Sequence, residues 1–168
     1  MMNASAYQDS DPCLLDESRT LGLKAAHVLG HPDATLFSLD VDEASARLSG
    51  VYNTNRLRVA GSPGNFRMRL RTAQVGRLGL ATLSFGAEVD IEQAGDRPFV
   101  LVTAQVGGFS RVATAGRVAE GGGGFVVVDS AGQSVSKRFS SDSERCNVRI
   151  DQAVIDGRCA ELQRCPID

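Results

Sequence analysis

The sequence predicts a mainly β protein, a double-sheet jelly-roll barrel with a helix on either side, and three observations predict it. Two stretches alternate apolar and charged residues strictly, Phe66-Arg67-Met68-Arg69-Leu70-Arg71 and Ala87-Glu88-Val89-Asp90-Ile91-Glu92, which is the pattern of strands with one buried and one wet face. Short valine-rich runs follow at near-regular spacing between glycine turns, with 18 glycines against 5 prolines in 168 residues, the texture of sandwiches and barrels rather than helical bundles. Helical periodicity is confined to the residues before 53 and after 150. A chain of this length is one domain's worth, and one core can bury roughly 70% of its unfolded surface without staples.

The elements follow in chain order. Residues 1–12 are polar and acidic and read as a disordered tail. Over 13–29, Leu14, Leu21, Ala25 and Leu29 recur at helical spacing, with Gly30 and Pro32 as the stop. A second, short helix is expected over 41–52: Asp40 is its N-cap, Asp42 and Glu43 favour the positive end of the helix dipole, and Val41, Ala44 and Leu48 share a face. From residue 56 the period becomes two. Gly76 and Arg77 form the two central positions of a type II′ turn, pairing Val75 with Leu78, Leu70 with Leu83, Met68 with Phe85 and Phe66 with Ala87. A slip of one residue would set arginines against leucines. The same buried phase continues into Val89 and Ile91.

Further strands are expected at 99–106, 109–114, 117–119, 125–128, 134–140 and 146–150, with turns at Gly107-Gly108, Ala115-Gly116, the glycines of 121–124 and the Asp129-Ser130-Ala131-Gly132 cluster. Asp151 then caps a helix that carries Ile155, Cys159 and Leu162 on one face and ends at Pro166. The expected division is 1–35 for the N-terminal tail and helix, 36–150 for the barrel, and 151–168 for the C-terminal helix.

Composition and motifs exclude several functions. With 18 basic and 20 acidic residues the net charge is −2, so the chain has no electrostatic footprint for nucleic acid or an anionic membrane. The longest apolar runs are too short to span a bilayer, and the N-terminus lacks a basic, then apolar, leader. A cytoplasmic protein is expected, with no membrane partner. The cysteines, Cys13, Cys146, Cys159 and Cys165, form no Cys-x-x-Cys pair and match no zinc spacing. Thiols are expected, with Cys146 and Cys159 as small core residues. His27 and His31 are the only histidines, and Gly30 and Pro32 interrupt the helix they would need to share a metal. Gly108-Phe109-Ser110-Arg111-Val112 lacks the second glycine of a nucleophile elbow, and 121–124 lacks the Lys-Ser/Thr of a phosphate loop.

One family resemblance stands out. Phe37, Asp40, Asp42, Glu43, Ala44 and Leu48, followed by Asn55-Arg56-Leu57, and then Phe66-Arg67-Met68-Arg69-Leu70 running through Val75-Gly76 to Leu83-Ser84-Phe85-Gly86-Ala87-Glu88-Val89, together resemble the N-terminal cupin-like domain of AraC/XylS-type transcription regulators. The resemblance covers roughly 36–165 and implies a cupin-like jelly-roll barrel with flanking N- and C-terminal helices. It implies a domain that senses a small-molecule effector or mediates self-association, while a separate pair of helix-turn-helix units binds DNA. The sequence departs from that pattern by ending at Asp168, with no recognition helix. Catalytic cupins usually hold a metal on histidines; no histidine lies in the β region, so no metal, no other cofactor and no enzyme activity are expected.

The leading functional reading is therefore the effector-sensing or dimerisation domain of such a regulator; the competing one is a metal-free small barrel enzyme or a stand-alone binding protein. Candidate ligand contacts are Phe66, Met68 and Phe85 on the inward hairpin face, and Thr103 and Gln105 on the strand shared with Phe99 and Leu101, one of which is expected to point inward. Candidate dimer contacts are Ile155, Cys159 and Leu162. The stripe of Arg67, Arg69 and Arg71 reads as a solvated face, with Arg67 diagonal to Glu88 for a few tenths of a kcal/mol.

Overall fold

The structure is a computed structural model and describes residues 34–164. The expected tail at 1–12, the helix at 13–29 and both histidines lie outside the described residues. Eleven strands and two helices follow: β1 (Ala34–Ser38), α1 (Val41–Tyr52), β2 (Asn55–Val59), β3 (Met68–Val75), β4 (Leu78–Ser84), β5 (Val89–Gln93), β6 (Phe99–Gly107), β7 (Ser110–Thr114), β8 (Arg117–Gly121), β9 (Val126–Asp129), β10 (Val135–Phe139), β11 (Glu144–Asp151) and α2 (Gln152–Arg164). A single 3-10 turn at Pro63–Asn65 leads into β3.

The strands form two antiparallel sheets, ordered β1-β3-β4-β11-β6-β9 and β2-β5-β10-β7-β8, which face each other as the jelly-roll barrel. The core lies between them, built on Phe66, Met68, Leu70, Leu83, Phe85 and Val89, and α1 closes one side with Ala44, Leu48 and Tyr52.

The sequence explains α1 locally. Asp40 takes an extended conformation and its Oδ1 accepts the Glu43 N–H at 2.8 Å, as an N-cap does. Ser38 is buried and donates its Oγ to Glu43 Oε2 at 2.5 Å. One turn on, Glu43 Oε1 receives Arg47 Nη2 at 2.7 Å. Tyr52 extends the Ala44 and Leu48 face by one more turn and is buried with them.

The β3–β4 hairpin has the expected register, with Val75 opposite Leu78 and Leu70 opposite Leu83. Gly76 takes φ +58 while Arg77 is not among the positive-φ residues, in keeping with a type II′ turn. Arg67 and Arg69 are exposed and Phe66, Met68 and Leu70 buried, so the alternation does sort the two faces. The ladder itself stops at Arg69 opposite Ser84, so the expected pairs Met68 with Phe85 and Phe66 with Ala87 do not form. Gly86 takes φ +64, and a Cβ there would lie 2.6 Å from Arg67 Cγ; only glycine fits this corner, where the chain crosses to the other sheet. β5 therefore pairs with β2 and β10 instead of prolonging the hairpin. Phe85, Ala87, Val89 and Ile91 remain buried through the crossing.

Two strands were not expected. β1 pairs with β3 at a sheet edge; Phe37 on it is 51% exposed, while Leu36 packs against the core and Ser38 is buried. β2 places only Leu57 in the core between exposed Arg56 and Arg58. The cysteine expectation is corrected: Cys146 is half-buried, and Cys159 is exposed because α2 runs beyond the barrel instead of packing back on it.

Candidate functional site: the polar interior of the barrel

The inward faces of β6, β10 and β11 meet across the barrel. On β10 the alternation is clean: Val135, Lys137 and Phe139 are buried, and Ser136 and Arg138 are exposed. On β11 the polar residues are the inward ones. Arg145 and Asn147 are buried, whereas Cys146, Val148 and Ile150 are half-buried on the other face. Arg145 lies between Leu83 of β4 and Gln105 of β6, and Asn147 between Ala81 and Thr103. Between the sheets remains a cavity of about 30 Å³, room for about two waters. Its apolar walls include Leu48, Leu83, Ile91, Leu101 and Phe139; its polar groups include Tyr52, Thr103, Lys137, Arg145 and Asn147.

Lys137 on β10 forms a buried ion pair with Asp129 on β9, bridging the two sheets. Burial pushes the Lys137 ammonium down and the Asp129 carboxylate pulls it back. Asn147 Nδ2 donates to the Tyr52 hydroxyl at 2.9 Å, joining β11 to α1. Burial raises the Tyr52 phenol to about 12. Arg149, next but one along β11, donates Nη1 to the Val51 carbonyl at 3.1 Å and ties the same helix down.

Arg145 is held differently. Its guanidinium stacks 3.5 Å from the Phe139 ring centroid and 4.9 Å from that of Phe85, a favourable cation–π arrangement. Nη1 donates to Ser143 Oγ at 3.0 Å. No carboxylate pairs with it among the described residues, and Nη2 is buried without a hydrogen-bond partner. Burial lowers its pKa to about 9, against a small pull from Tyr52. Thr103 Oγ1, on the neighbouring strand, is likewise buried and unpartnered.

Of the residues expected at a ligand site, Thr103 lines the cavity. Phe66 and Phe85 stack at 6.1 Å, and with Met68 they are buried beyond the cavity lining. Gln105 points inward as Thr103 does, and its Nε2 donates to Ser143 Oγ at 2.8 Å and to the Gly107 carbonyl. On α2, Ile155 is half-buried, Cys159 exposed and Leu162 69% exposed. Sequence reasoning missed Tyr52, Lys137, Arg145 and Asn147. Lys137 could have been found, because Val135, Lys137 and Phe139 share one strand phase. Arg145 and Asn147 could not, because the apolar phase of 146–150 points the other way.

The arrangement donates hydrogen bonds and positive charge to whatever enters it. Burial pushes the Cys146 thiol up, the wrong direction for a nucleophile, and no three His, Cys, Asp or Glu gather as metal ligands among the described residues.

Two antiparallel sheets facing each other around a small cavity make a jelly-roll barrel. The chain belongs to the AraC-binding-like domain family, whose model matches residues 44–166. Among solved structures it is similar to the AraC-like transcriptional activator CuxR, at 16% identity and a TM-score of 0.61, over 77% of this chain and 52% of that one. The chain thus spans about half the length of that activator. It is also similar to the Cnp3 cupin domain of Schizosaccharomyces pombe, at 13% identity and a TM-score of 0.43 over 61% and 82% of the two chains. KdgF from Halomonas sp. matches at 16% identity and a TM-score of 0.43 over 56% and 84%. Comparison with curated protein sequences returns no significant match.

Proposed function

We propose that the chain is the effector-sensing domain of an AraC-type transcription regulator, a cytoplasmic binding domain rather than an enzyme. On this reading its ligand enters the barrel beneath α1, and its copies associate through α2. The family match carries the reading; the cavity roofed by Leu48 and Tyr52 supports it, since a ligand there would touch a helix as well as both sheets. DNA contact falls to another part of such a regulator, consistent with the net charge of −2 on these residues. No helix among the described residues is long and apolar enough to cross a membrane.

A melting-temperature screen of small metabolites tests the effector reading. At least one compound is expected to stabilise the protein saturably, by mass action on the folded state. Leu83→Phe, which fills the cavity from its wall, is expected to abolish that shift. A library without hits, or hits whose shift survives Leu83→Phe unchanged, would count against the reading.

A further inference from the structure

Resting on the effector-domain reading, we propose that the barrel cavity binds the carboxylate of a short-chain organic acid, held by Arg145. The cavity lining carries two cations, Lys137 and Arg145, and no acid. Lys137 is neutralised by Asp129; Arg145 is not neutralised by anything among the described residues. A buried guanidinium without a counter-charge is costly unless something supplies one. Two buried donors of the cavity lining have no protein acceptor, Arg145 Nη2 and Thr103 Oγ1. A third faces the same space: the Tyr52 oxygen already accepts from Asn147, which leaves its proton to be given elsewhere. These donors suit an acceptor-only group, and a carboxylate is one.

Charge and size narrow the class. One uncompensated positive charge matches a monoanion better than a phosphate dianion. A cavity of about 30 Å³ takes a group whose two oxygens replace about two waters. Leu48, Ile91 and Leu101 line the remaining wall, which leaves no further polar partner and favours the smallest acids, formate and acetate.

Titration with formate and acetate at constant ionic strength, followed by calorimetry and melting temperature, tests the proposal, with acetamide and inorganic phosphate as comparators. A carboxylate is expected to bind saturably and acetamide to bind at least tenfold more weakly. Arg145→Met is expected to lose at least tenfold in affinity while remaining folded, and Thr103→Val several-fold. Binding by wild type is expected to fall as pH rises through about 9, where Arg145 loses its charge. Equal response to acetate and acetamide, preference for phosphate, or an affinity unchanged in Arg145→Met would overturn the proposal. A neutral ligand that stabilises the wild type and not Leu83→Phe would overturn the carboxylate and leave the effector reading standing. Silence from charged and neutral compounds alike would overturn both.

Discussion

Arg145 is the residue at which stability and function pull apart. Its pKa of about 9 lies well below the ordinary guanidinium range, so below pH 9 it is charged in both folded and unfolded chains and the full cost of burial is present. Above pH 9 the unfolded chain keeps a proton that the folded protein releases, and this group's contribution to stability rises with pH. Tyr52 acts in the opposite sense. Its phenol stands near 12 when folded against an ordinary 10, so between pH 10 and 12 the unfolded chain ionises first and stability is lost. The net upturn is expected between pH 9 and 10. Lys137, lowered by burial against the pull of Asp129, contributes in the same direction as Arg145 but is present in wild type and variant alike. Urea unfolding of wild type and Arg145→Met across this range isolates the arginine. The variant is expected to be more stable at pH 7 by about 1–3 kcal/mol, as when apolar side chains replace buried charge, and that advantage shrinks above pH 9. A variant less stable at pH 7 would mean that stacking on Phe139 and the Ser143 bond outweigh burial.

The elements differ in how openly the sequence declares them, and the reason is which face each one buries. The β3–β4 hairpin was legible from its turn to Leu70 and Leu83 because two alternations meet through one glycine turn, and a slip would bury arginine; beyond Ser84 the chain leaves for the other sheet at Gly86, where the alternation alone gives no sign of the crossing. Met68 is fully buried and Arg69 exposed. Accordingly Met68→Ala is expected to cost about 2–5 kcal/mol and Arg69→Ala no more than about 0.5. Thermal melts of the two variants measure the difference, and equal shifts would contradict the facing. Helix α1 was equally legible, because its cap, its acidic first turn and its apolar face agree. β1 was not, because its five residues set one apolar side chain, Leu36, against the core, too few for a periodic signal. β11 misled, since its apolar residues face away from the barrel while Arg145 and Asn147 face in. Binary patterning assumes that the interior is the apolar side, and it fails where an interior is polar. The sequence therefore pointed to the barrel and to Thr103, but not to the charged residues that distinguish this barrel from a filled one.

At the scale of the molecule, the large apolar side chains left exposed lie mostly on sheet edges and turns, with Leu162 alone on α2. Leu162 on α2 is 69% exposed, and Val126 and Val128 on edge strand β9 are 55% and 61% exposed. Ile155, Cys159 and Leu162 fall on one helical face; Ile155 is half-buried, and the outer part of the face, Cys159 and Leu162, is exposed. The family match extends through α2 to residue 166, so the helix is part of the domain, and a second copy meeting it face to face would give the closed two-fold contact that most homodimers use. Sedimentation of the wild type in the tens of micromolar is expected to show a dimer. Ile155→Asp with Leu162→Asp is expected to sediment as a monomer with an unchanged melting profile at low concentration, because neither side chain is core. Val126→Lys with Val128→Lys serves as the contrast: charges on the β9 edge are expected to leave the dimer intact. A wild type that stays monomeric would refute association through this domain. A dimer that survives the α2 changes but dissociates with the β9 changes would move the interface from the helix to the sheet edge, where paired strands rather than packed helices would join the copies.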